Sequence, residues 1–140
     1  MAIAQMNWGR LRLPLSNPEM SEFAESLSEI YLLAETHTGF IWRLPDEEVT
    51  AQLQDLNFND RVSATISVWD SVDALKAYTF DTIHGEYMER SAEWFEKVDG
   101  PQLVIWDVET TTRASFREAF ERLDMLKRDG PTSAAYGWPS

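Results

Sequence analysis

The chain has 140 residues, enough for a single domain that buries roughly two-thirds of its unfolded surface. Its formal charge of -12 argues against nucleic-acid and anionic-membrane partners, which are held by Lys and Arg neutralising phosphate. No cysteine is present, which excludes disulfides, thiolate catalysis and iron–sulfur clusters. The six tryptophans are many for this length and suit both a core and a pocket for flat organic molecules.

In chain order, Ile3 to Leu13 reads as a strand with Gln5, Asn7, Gly9 and Leu11 on one face and Ala4, Met6, Trp8 and Arg10 on the other. Asn17-Pro18 is a helix start, and Met20, Phe23, Leu27, Ile30, Tyr31 and Ala34 make a helical stripe to about Glu35. Gly39 to Leu44 is a short second strand. Residues 45–59 carry four acids and no base, and predict a long acidic loop of the kind that closes over a site. Arg61 to Trp69 is the clearest strand. Val62, Ala64, Ile66 and Val68 alternate there with Ser63, Thr65, Ser67 and Trp69.

Asp70-Ser71 caps a helix bearing Val72, Leu75 and Tyr78, and a second helical stretch runs from about Ile83 to Lys97. Gln102 to Val108 is the fourth strand. Ser115 and Glu118 form a capping box for a last helix, stopped by Gly130-Pro131. Tyr136 and Trp138 in the tail are expected to pack on something, a partner chain among the candidates. The order is β-α-β-β-α-β plus a terminal helix, an α+β fold of the ferredoxin-like kind with helices on one face of an antiparallel sheet. The other face would then be solvated, meet a second sheet, or line a cavity. No basic n-region with a following apolar stretch and no bilayer-length apolar run appears, so a soluble, cytoplasmic protein is expected.

Several blocks carry a family resemblance: Asn7 to Arg10, Gly39 to Leu44, Ser67 to Leu75, His84 with Arg90 and Glu93-Trp94-Phe95, and Lys127 to Thr132. The chain resembles the bacterial domain of unknown function 3291. That family is similar to the dimeric α+β barrels, distantly including antibiotic-biosynthesis monooxygenases. The resemblance implies one barrel domain over residues 1–140, a homodimer, and a small-molecule pocket in each protomer.

Among chemistries, His84 is the candidate proton-transfer residue, because an imidazole titrates near neutral pH without a large environmental shift. The alternative is a histidine that bonds a carbonyl between helical segments. Arg90 is a candidate to hold an enolate or carboxylate, with surface ion pairing as its alternative. Trp69, Trp42 and Trp106 are expected to wall an aromatic pocket, with Asn7, Ser67 and Met88 as further substrate contacts. Plain core packing is the alternative for each Trp. Metal-ligand spacings, a nucleophile elbow and a glycine-rich phosphate loop are all missing, so neither metal nor cofactor is expected. The expected function is a cofactor-independent tailoring enzyme of bacterial secondary metabolism. It would act on a hydrophobic oxygenated molecule by cyclisation, isomerisation, dehydration or oxygenation. The alternative is a non-catalytic small-molecule- or haem-binding barrel.

Overall fold

The computed structural model describes residues 1–138. The four strands are β1 (Ala2–Arg10), β2 (Phe40–Arg43), β3 (Val62–Trp69) and β4 (Leu103–Val108). Five helices accompany them among the described residues: α1 (Ser21–Thr36), α2 (Asp46–Asp55), α3 (Val72–Asp81), α4 (Ile83–Glu89) and α5 (Phe116–Asp129). The strands form one sheet in the order β2-β3-β1-β4, with every neighbouring pair antiparallel. This is a mixed α+β architecture.

Period-two alternation divides the sheet into two faces. Ala2, Ala4, Met6, Ala64, Ile66, Val68, Val104 and Trp106 point one way, into a cluster completed by Leu53 of α2 and by Phe116, Ala119 and Leu123 of α5. Ile3, Trp69 and Ile105 point the other way, towards Ile30 and Ala34 of α1 and Leu75 and Tyr78 of α3. Helices therefore cover both faces. The expectation of a bare face is corrected: the terminal helix and α2 lie over the greasy alternation of β3, and the serine-threonine face lies on the α1 and α3 side.

Residues 45–59 are also not a loop. Pro45, in extended conformation, precedes α2, and Asp46, Glu47 and Glu48 occupy its first turn, where acids complement the helix dipole. Val49, Leu53 and Leu56 then recur at helical spacing against the core. Arg43 anchors the entry to the helix, bonding Glu35 at 2.6 Å and Asp46 at 2.9 Å. The stretch after His84 is shorter than the pattern predicts. α4 stops at Glu89, a 3-10 turn follows over Ser91–Glu93, and Trp94 swings inward to 3% exposure beside Leu11, Met20 and Phe23. The tail packs on its own chain: Tyr136 exchanges two backbone hydrogen bonds with Ile105, at 2.7 and 2.8 Å, and so lies along the outer edge of β4.

Candidate functional site

The α1 side of the sheet is covered by two separate apolar clusters. One gathers around Trp69, Tyr78 and Ile30, and the other around Leu11, Phe23 and Trp94. Between them the sheet is polar. Gln5 of β1 pairs with Ser67 of β3, and Asn7 pairs with Thr65. Asn7 is exposed although it sits in a central strand with neighbours on both sides.

The polar side chains form a relay. Asn7 Nδ2 donates to Gln5 Oε1 at 3.0 Å, and Gln5 Nε2 donates to Ser67 Oγ at 2.8 Å and to Thr65 Oγ1 at 3.5 Å. Trp69 Nε1 donates to the same Ser67 oxygen at 2.9 Å. Gln5 is 3% and Ser67 8% exposed, so the relay runs from solvent at Asn7 into the interior. At its border, Gly9 lets Phe95 approach so closely that an added Cβ would stand 2.6 Å from the ring.

Trp69 is fully buried. Its ring stacks on Tyr78 at 5.2 Å and takes edge contacts from Phe40 at 5.5 Å and His37 at 5.9 Å. Tyr78 donates to the Ile30 carbonyl at 3.1 Å, and burial raises its phenol far above the ordinary value. His84 packs on Tyr78 at 5.1 Å. Its place follows from the break at Thr82, which is extended and ends α3. The last carbonyls of a helix lack intrahelical partners. Thr82 Oγ1 takes that of Tyr78 at 2.6 Å, and His84 Nδ1 lies 3.1 Å from that of Thr79. A carbonyl accepts only, so Nδ1 carries the proton and Nε2 keeps its lone pair. Burial lowers the His84 pKa, with the Thr79 bond opposing, which favours the neutral ring.

The expected site residues thus separate. Asn7, Ser67 and Trp69 come together, and His84 stands one ring away across Tyr78. Trp106 pairs with Ala4 and Trp42 with Val68, which puts both on the opposite face, under Arg122 at 5.3 Å and Arg113 at 5.2 Å respectively. These two do not share a pocket with Trp69. Met88 is 40% exposed on the helical surface. Arg90 is clamped by Glu93 at 2.7 Å and Glu22 at 2.8 Å above the Trp94 ring, and these bonds raise its pKa further. Beside that clamp, Ser21, Glu22, Glu25, Ser26, Glu29 and Tyr87 line a shallow groove of about 330 Å³. Gln5 is a site candidate that the sequence reading does not single out; its signal is a lone amide between Ala4 and Met6 on the face of Asn7. No group of three or more His, Asp or Glu among the described residues could hold a metal ion.

A four-stranded antiparallel α+β domain with a buried polar relay is the class of protein that fold and site define. The chain belongs to the family described as domain of unknown function (DUF3291), whose model matches residues 2–140. Among solved structures it is similar to a conserved protein from Methanosarcina mazei Go1, at 14% identity and TM-score 0.54, over 78% of this chain and 94% of that one. It is also similar to a protein of unknown function from Nitrosomonas europaea, at 14% identity and TM-score 0.49, over 81% of this chain and 92% of that one. No curated protein matches the chain. The first of these likenesses concerns the fold alone. No helix among the described residues is long and apolar enough to cross a membrane.

Proposed function

We propose that this chain binds a neutral, hydrophobic, oxygenated small molecule above the Asn7–Gln5–Ser67 floor. It acts there as a cofactor-independent tailoring enzyme of bacterial secondary metabolism, with His84 moving a proton. The observation that carries the reading is the exposed Asn7 in a central strand, joined to a buried relay between two apolar clusters. A few fixed polar groups inside an apolar frame orient a small organic ligand. His84 suits a general base: burial favours its neutral form, Nδ1–H is held by Thr79, and Nε2 has no partner among the described residues. Arg90, committed to two carboxylates, serves as a positioning clamp between α1 and the end of α4.

One observation favours a second reading, of binding without turnover: Tyr78 stands between His84 and Trp69, so the base is not on the wall nearest the relay. The strand order β2-β3-β1-β4 supports the finer description of the frame as ferredoxin-like, with α2 and α5 added. A barrel made by two facing sheets would have to displace α2 and α5. A homodimer therefore fits better at the outer edge of β2, which has no strand partner among the described residues.

Small molecules carried through purification and identified by mass spectrometry test the reading. The wild type should carry an oxygenated hydrophobic compound that Asn7→Leu loses, and His84→Gln should bind it but turn it over at least roughly a hundredfold more slowly. Wild-type turnover in His84→Gln would leave the histidine as a helix cap only. Equal loading of Asn7→Leu would remove the floor from the site.

A further inference from the structure

We infer that Gly85 is the positioning residue that locks the His84 ring in one neutral form. The proton stays on Nδ1 and Nε2 is left open as the acceptor; this rests on the proton-transfer reading above. α4 turns back onto the C-terminal end of α3, where three consecutive carbonyls meet it. Thr82 Oγ1 donates to that of Tyr78 at 2.6 Å, and His84 Nδ1 stands 3.1 Å from that of Thr79. The Phe80 carbonyl comes next, and it lies against Gly85. A Cβ built on Gly85 would stand 2.6 Å from that oxygen and 3.2 Å from its carbon. Both atoms are backbone, so no side-chain rotation makes room.

Local propensity argues for alanine at this position. Glycine inside a helix costs about 1 kcal/mol relative to alanine, and α4 is only seven residues long. Gly85 N–H donates to the Thr82 carbonyl at 2.9 Å, and its φ is not in the left-handed region. Neither a missing bond nor an unusual φ therefore asks for glycine. The close approach does. Restoring an ordinary contact of ~3.5–4.0 Å would push α4 outward by about 1 Å. Residue 84 moves with its neighbour, and the Nδ1–Thr79 bond, 3.1 Å at the start, then exceeds hydrogen-bond length. An imidazole freed from that carbonyl shares its proton between both nitrogens and presents a lone pair at Nε2 only part of the time. It also leaves its fixed seat on Tyr78, and a misplacement of about 1 Å can cost roughly a hundredfold in rate.

Long-range 1H–15N correlation spectra of the imidazoles, taken above their titration range, read the tautomer directly. The chain has two histidines, and His84→Gln assigns the signals. His37, whose Nδ1 lies 2.9 Å from the Thr38 carbonyl, is the internal reference. Wild-type His84 should show one form, protonated on Nδ1. Gly85→Ala should move His84 towards the mixed tautomers of a free imidazole and leave His37 unchanged. It should also lower Tm, where helix propensity alone would raise it. Thr82→Val removes a cap without crowding the Phe80 carbonyl, and should lower Tm while keeping the proton on Nδ1. A wild-type ring protonated on Nε2 overturns the lock. So does a Gly85→Ala variant that keeps the wild-type ring signals or gains stability, and loss of the Nδ1 form in Thr82→Val takes the role away from Gly85. The turnover of His84→Gln tests the general base separately, so the two readings fail on different measurements.

Discussion

Trp69 holds two jobs that a sequence cannot separate, filling the core with its ring and feeding the relay with its N–H. Trp69→Phe keeps an aromatic on Tyr78 and deletes the bond to Ser67, so it should cost about 1 kcal/mol in urea unfolding. Trp69→Ala should cost about 3–5 kcal/mol through the cavity it leaves. Similar losses for both would place the whole effect in the hydrogen bond. His84 makes the matching case for charge. Burial depresses its folded pKa below the 6.5 of the free side chain, so the unfolded chain takes up a proton first as pH falls. Stability should be flat above the unfolded value and decline below it until the depressed folded pKa is passed. In His84→Gln this part of the acid-side slope should disappear from Tm measured against pH; an unchanged slope would show that the ring is solvated. Neither arrangement could be read from His84 alone, because its partner carbonyl exists only where α3 ends at Thr82.

Among the elements, β3 was the most legible, because its strict alternation identifies both a strand and its two faces. α5 was also legible, from Ser115, whose hydroxyl accepts the Glu118 N–H at 3.3 Å, and from Gly130 in the left-handed region. α2 reads as a long acidic loop in the sequence because four acids dominate it and its apolar positions are only Val49, Leu53 and Leu56. Its apolar stripe is one residue wide, and only burial against the sheet makes it decisive. Leu53→Ala should therefore destabilise the domain by about 2–4 kcal/mol, and α2 amides should exchange slowly with no ligand present. Fast exchange across residues 46–55 would restore the mobile loop. The scattering of the tryptophans has a related cause. Alternation assigns faces within a strand, but only the register, Ile3 with Trp69 and Ala4 with Trp106, relates one strand to another.

For the whole molecule the decisive features are closures: α2 and α5 over one face, α1 and α3 over the other, and the tail along the β4 edge. The tail is held by more than its two bonds to Ile105. Arg122 donates to the Ala134 carbonyl at 2.7 Å, and Tyr136 OH donates to Asp107 at 2.9 Å. Partial burial, and then that bond, push the Tyr136 phenol up to about 12. An uncovered edge strand exposes a row of backbone donors and acceptors to other chains. Tyr136→Pro deletes the N–H that reaches Ile105 at 2.8 Å, and Tyr136→Phe deletes only the phenol's bond. Proline should lower Tm by several degrees and produce concentration-dependent larger species in light scattering, as β4 edges from two chains meet. Phenylalanine should cost about 1 kcal/mol or less and leave the mass unchanged. Should the proline variant scatter as the wild type does at every concentration, the tail does not guard that edge, and α5 with the core must hold β4 closed without it.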